Sequence, residues 1–215
     1  MQDTFKTLAS ESFGDFRDRG SKFLAYAESI ETVENAKLYL EKVKKLHPKA
    51  RHFCYAYRLG IDGNDFRSND DGEPSGTAGK PILGQIDKFE LTNLIIIVVR
   101  YFGGTKLGTS GLINAYKLAA REAISTGNVV KKIVCDIFRV QFDYAIMSQV
   151  MNAQKKLRIE VAAQNFDAHP SIDLKIRRSE VETTLLNFRA RVAQLPVEMV
   201  KDMEKIDGLV IEKIE

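Results

Sequence analysis

The stretch LIIIVVRY, Leu94–Tyr101, decides how this chain folds. Its aliphatic core, Leu94–Val99, is far shorter than the roughly 20 residues a membrane-spanning helix needs, and its β-branched content favours an extended backbone. Strand side chains alternate between two faces, so an all-apolar run needs a covering layer on each. The stretch therefore reads as a central strand, and the surrounding sequence must supply its partner strands and its helices.

Those elements can be read on either side of it. His52–Leu59 places Phe53, Tyr55, Tyr57 and Leu59 on one face and His52, Cys54, Ala56 and Arg58 on the other, a strand pattern. Phe13–Phe16 and Ser21–Ile30 read as two more strands around the turn residues Arg17-Asp18-Arg19-Gly20. Thr32 caps a helix with Glu34 in its first turn and the stripe Val33, Ala36, Leu40, Val43 and Leu46, ended by Pro48. Gly60–Gly79 reads as a long polar loop, and Pro81 opens a short helix over Ile82–Phe89. After the central strand, Ser110–Thr126 is a helix burying Leu112, Ile113, Tyr116, Ala119, Ala120 and Ala123, with Gly127 at C′.

Polar residues at Gly127–Lys131 suggest a linker, dividing the chain into domains at 1–128 and 131–215. The second part orders as strand Lys132–Phe142, helix Asp143–Leu157, strands Ile159–Phe166 and Ser171–Arg178, helix Ser179–Leu195 and strand Gly208–Ile214. Ser179-Glu180-Val181-Glu182 has the form of a capping box. The sum is βαββαβ, the ferredoxin-like arrangement, and the class is α+β.

Composition narrows the function classes. With 44% hydrophobic and 28% charged residues among 215, the chain can bury cores and is not a disordered tract. A net charge of +3, spread over both halves, includes no basic arm. Cys54 and Cys135 form no CxxC and no disulfide framework, and Met1–Phe5 has no leader character, so free thiols and a cytoplasmic location are expected. No membrane association, cofactor or metal centre is expected.

Two loops carry candidate chemistry. In the first, Asp70–Pro81, the carboxylates Asp70, Asp71 and Glu73 fit acid–base work or a hard cation, although the spacing is not that of an EF-hand; the alternative is a solvated acidic turn before a helix. Thr77, Gly79 and Lys80 follow, with small residues that allow close backbone approach. The second, Arg100–Gly111, runs from a buried strand into a helix N-terminus, where amides and the helix dipole favour an anion. Arg100 and Lys106 add charge; Gly103, Gly104, Gly108, Ser110 and Gly111 open the backbone; Tyr101 and Phe102 offer stacking surfaces or, equally, pack in the core. It matches neither GxxxxGK[ST] nor GxGxxG. The structural alternative is a strand-to-helix turn with Arg100 paired to a carboxylate. His52 beside Cys54 reads as packed core, His47 and His169 as exposed, and Lys175, Arg177 and Arg178 as a small basic edge.

Together DDGEPSGTAGKPIL and VVRYFGGTKLGTSGLINAY, preceded by Gly20-Ser21-Lys22-Phe23 and His52–Tyr57, resemble the IMPACT/YigZ family in its bacterial two-domain form, over about residues 10–127. Two differences stand out: Ser110-Gly111 replaces Gly-Gly, and Asn114 stands where many members have Arg. The resemblance implies a first domain like domain 2 of ribosomal protein S5, a ferredoxin-like second domain, and a pair like the last two domains of elongation factor G. It also implies a tie to translation, since eukaryotic members, which carry an added RWD domain, restrain the kinase pathway that stops initiation on starvation.

The leading expectation is a non-enzymatic translation-linked regulator whose two loops contact RNA or a ribosomal surface. One rival is an enzyme on a small phosphorylated or peptide-like substrate, with Asp71 or Glu73 as base. The other is a module that docks a protein partner in translation control. Nothing in the sequence points to DNA.

Overall fold

The computed structural model describes residues 3–214. Thr4–Lys132 forms one compact unit; residues 133–214, joined by Asp3, form the other.

The first unit is built on a five-stranded sheet of β2 (Ser12–Asp18), β3 (Ser21–Ser29), β4 (His52–Leu59), β5 (Asp65–Asn69) and β6 (Leu94–Tyr101), in the order β2-β3-β6-β4-β5. Neighbouring strands are antiparallel throughout. β6 is central and buried along Leu94–Arg100. Its residues Ile95, Ile97 and Val99 join Ala36, Tyr39 and Val43 of α1 (Val33–Leu46) in one core. Leu94, Ile96 and Val98 join Ile82 and Ile86 of α2 (Gly79–Lys88) and Leu112, Ala115, Tyr116 and Ala119 of α3 (Gly108–Thr126) in the other. Helices cover both sheet faces, which explains why the run in β6 never alternates.

Several expectations change here. Leu46 and Ile113, expected to be buried, are 57% and 42% exposed, and Tyr39, outside the expected stripe, is buried. The Gly60–Gly79 stretch contains β5, a polar edge strand. Gly127 is extended, at φ −82° and ψ 160°, rather than left-handed; it is needed for space, since a Cβ there would stand 2.8 Å from Leu8 Cδ2. The expected linker is structured: β7 (Val129–Ile133) pairs with β1 (Thr4–Leu8), a strand the sequence pattern did not reveal. Thr32 does cap α1, reciprocally with Asn35.

The second unit runs β8 (Cys135–Phe142), a 3-10 turn, α4 (Met147–Leu157), β9 (Glu160–Asn165), β10 (Ser171–Arg177), a second 3-10 turn, α5 (Val181–Ala193), α6 (Val197–Lys201) and β11 (Leu209–Lys213). Its sheet order is β11-β8-β10-β9, antiparallel at every step. Phe138, Val140, Ile172, Leu174 and Ile176 pack beneath Val150, Ala153, Phe188 and Val192 of α4 and α5. The capping box does not form: α5 starts at Val181 without a side-chain cap, and the Ser179 hydroxyl donates instead to the Asp3 carboxylate. The basic edge is neutralised, with Lys175 on Glu160 at 3.1 Å, Arg177 on Asp3 and Arg178 on Asp136 at 2.8 Å. Both cysteines are free thiols. Among the described residues, no helix is long and apolar enough to cross a membrane.

Candidate nucleic-acid interface

Strand register gathers four connections at one end of the first sheet. Lys22 lies opposite Tyr101, His52 opposite Arg100 and Tyr55 opposite Asn69. The turn into β3, the approach to β4, the Asp70–Ala78 loop and the Phe102–Leu107 loop therefore meet there. Gly20 and Gly103 touch backbone to backbone, and the Gly103 N–H donates to Ser21 Oγ at 3.1 Å.

The acidic loop is committed to holding this end together. Asp70 accepts the N–H groups of Gly76 at 2.8 Å, Ala78 at 2.9 Å and Gly79 at 2.8 Å, closing the loop onto the start of α2. Burial pushes the Asp70 pKa up, but the three amides outweigh it and leave the carboxyl below its ordinary value. The stability this contributes is fully present above the unfolded pKa, near 3.9, and is lost as pH falls through the lower folded pKa. Asp70→Asn is expected to flatten that part of the acid limb in pH-dependent denaturation; an unchanged limb would remove Asp70 from the cap. Asp71, at φ 40°, accepts the Phe53 N–H at 2.6 Å, and its carbonyl lies 2.9 Å from His52 Nδ1. Thr77 donates to the Pro74 carbonyl at 2.6 Å. Gly79 is required where a Cβ would come 2.5 Å from Asn69 N.

Glu73 and Arg100 form a buried pair, Nη1 to Oε1 at 2.6 Å, with side chains only 4% and 8% exposed. Tyr116 also donates to Glu73 Oε1 at 2.9 Å, and Cys54 Sγ lies 3.3 Å from the Tyr116 hydroxyl and 2.9 Å from the Asp70 carbonyl. The Arg100 guanidinium lies over Phe23 and Phe102, and its Nε has no partner. Burial pushes the Cys54 thiol far up, against the Tyr116 hydrogen bond. Arg100 is thus a structural pin, not an open cationic contact. Tyr116, assigned only to the core by its spacing, supplies the second hydrogen bond to Glu73. The one signal available in the sequence was that a buried tyrosine hydroxyl needs a partner.

The second loop is open. Gly104 and Gly108 have φ of 87° and 72°, and a Cβ at either residue would meet no atom within 4 Å. Lys106, Thr105, Thr109 and Ser110 are exposed, while Gly111 is half-buried against Leu107. α3 begins without a side-chain cap or an acidic residue in its first turn, so its first amides face outward with the positive end of the helix dipole. Phe102 is 59% exposed. Tyr101 is not available in the same way: its hydroxyl lies 3.0 Å from His47 Nδ1. His47, expected at the surface, is half-buried between Tyr26 and Tyr101, and burial, reinforced by Lys22, holds its pKa below the ordinary value.

Sequence reading missed the wider cationic rim. Arg19, Lys49 and Arg51 reach this end with Lys80 and Lys106; all five are exposed, and among the described residues none forms an ion pair. Lys22 is also there, 3.6 Å from Asp15. Asp70 and Glu73 are turned inward, and the exposed cations outnumber the carboxylates Asp18 and Asp71 at this end, a balance of charge that favours a polyanion. The described residues gather no cluster of three or more His, Cys, Asp or Glu side chains that could hold a metal.

The profile described as the Impact N-terminal domain matches residues 19–124, which span both loops and the rim. A Haemophilus influenzae protein described as an IMPACT family member is 35% identical over 164 residues, covering 75% of this chain and 80% of its own. The chain belongs to the IMPACT family. The family member YvyE of Bacillus subtilis is 32% identical over 160 residues, covering 74% of each chain. The likeness extends to the second unit: a crystal structure described as a hypothetical protein superposes with a TM-score of 0.69 at 26% identity, covering 100% of this chain and 99% of that one.

Proposed function

We propose that this chain is a non-enzymatic, translation-linked protein that binds RNA, free or on a ribosomal surface, through the cationic end of its first sheet. The observation that carries the reading is the rim of Arg19, Lys49, Arg51, Lys80 and Lys106, exposed and without ion pairs among the described residues, beside the uncapped start of α3. Phosphates would lie against Lys106, the Gly103–Gly108 backbone and the first amides of α3, with Gly111 shaping the turn; Phe102 offers a face for an unpaired base. The link to translation rests on membership of a family whose eukaryotic members, as the motif resemblance implies, act in translation control.

The finer fold assignments belong to the same reading. The βαββαβ order and the strand order of the second unit support a ferredoxin-like domain. The first unit is assigned to the S5 domain 2-like class on the motif resemblance. Domain limits near 4–132 and 133–214 follow the two compact units. Catalysis by Asp70, Asp71 or Glu73 has less support, because amides or Arg100 already occupy each carboxylate.

Salt titrations on one single-stranded RNA test the interface. Lys106→Ala is expected to leave stability within about 0.5 kcal/mol, weaken binding, and lower the salt slope by roughly 0.7 for one lost phosphate contact. Unchanged affinity and slope would take Lys106 out of the interface.

A further inference from the structure

Two helices lying side by side on a sheet ordinarily close the seam between them with apolar side chains at helical spacing. The seam between α4 and α5 is different. On α4 the spacing of three, four and seven residues gives Gln149, Asn152, Ala153 and Lys156; on α5 it gives Asn187, Ala190 and Arg191, with Gln194 just past the helix end. Only Ala153 and Ala190 are buried, and they are too small to fill the space. A groove of about 660 Å³ remains, bounded at one end by Leu195, Pro196 and Val197. That is within the range of about 300–1,000 Å³ typical of small-molecule sites.

The lining is one-sided in charge. Lys156 and Arg191 contribute two cations, no lining residue is acidic, and among the described residues neither cation forms an ion pair. Four side-chain amides surround the alanine floor. Asn187 uses its Nδ2 on the Thr183 carbonyl at 2.9 Å, whereas the buried Oε1 of Gln149 accepts no hydrogen bond. The groove thus offers charge for an anion, amides that both donate and accept, and a small apolar floor.

We infer that this groove binds a free mononucleotide, with the phosphate on Lys156 and Arg191 and the base laid over Ala153 and Ala190. Side-chain amides match base edges because they present a donor and an acceptor side by side. The exposed amides of Asn152 and Gln194 would meet the edge of the base. The site lies within the second unit and does not depend on the RNA reading of the first.

The test is a titration of the full-length protein, 15N-labelled, with AMP, adenosine and inorganic phosphate, read on the side-chain amide signals of Gln149, Asn152, Asn187 and Gln194. Saturable shifts with AMP are expected, with phosphate or adenosine alone at least roughly tenfold weaker, and Lys156→Ala or Arg191→Ala each raising the dissociation constant roughly tenfold. Both substitutions are at exposed positions, so folding is retained. No shift with AMP, GMP, CMP or UMP at millimolar concentration would overturn the inference, as would unchanged affinity in both variants. Phosphate binding as tight as AMP would reduce the site to a bare anion site. Shifts produced only by an RNA oligomer would assign the groove to a polymer; either result contradicts the mononucleotide site.

Discussion

Glu73→Ala is expected to lower the unfolding free energy by about 3–5 kcal/mol, the usual cost of leaving one member of a buried ion pair without its partner. Arg100 cannot turn to water, since its side chain is 8% exposed and lies over Phe23 and Phe102. Its Nε already lacks a partner, so losing the Glu73 contact at 2.6 Å leaves the guanidinium with even less compensation. Tyr116 loses its acceptor at the same time. The paired change Glu73→Leu with Arg100→Met removes both charges and is expected to cost much less than Glu73→Ala alone, because apolar replacements for a buried pair are often neutral. Denaturant unfolding with a shared m-value measures both. A loss below about 1 kcal/mol in Glu73→Ala would show that Arg100 does not depend on this carboxylate.

Gly103→Ala is the second large effect. A Cβ at residue 103 would lie 1.9 Å from the Gly20 carbonyl carbon and 2.2 Å from its oxygen and from Ser21 N. These are backbone atoms of a tight turn, with no flexible side chain to move aside. The variant must separate the Phe102–Leu107 loop from the turn before β3, at an expected cost of about 3 kcal/mol or more, at the upper end for overpacking. Gly104→Ala is the control: it meets no neighbour but keeps φ at 87°, so only backbone strain of about 1–2 kcal/mol applies. Hydrogen exchange at the Gly103 amide, bonded to Ser21 Oγ, should accelerate in the first variant and not in the second. Equal stability losses in the two would contradict the close approach.

What the sequence made legible follows from range. Periodicity acts over one or two turns, so β6, α1, α3 and the βαββαβ order could be read from the chain. β7 could not: Val129–Ile133 includes Lys131 and Lys132, is largely exposed, and becomes a strand only because β1 pairs with it. The Ser179 capping box failed for a similar reason, since a carboxylate 176 positions away captured the hydroxyl. The site divides along the same line. The open Gly103–Ser110 loop was visible as a local pattern beside a helix start. The pairing of Arg100 with Glu73 across 27 positions was visible only as an alternative. The contribution of Arg19, Lys49 and Arg51 depends on strand register, which no local window reports.

The most direct test of the cationic rim as an RNA-binding surface is the salt dependence of wild-type binding to a single-stranded RNA oligomer. Each phosphate contact on a single strand contributes a slope of about −0.7 in log K against log salt, so engagement of three to five rim cations predicts roughly −2 to −3.5. Saturable binding with a slope in that range is the predicted result; no binding at low salt would contradict the account.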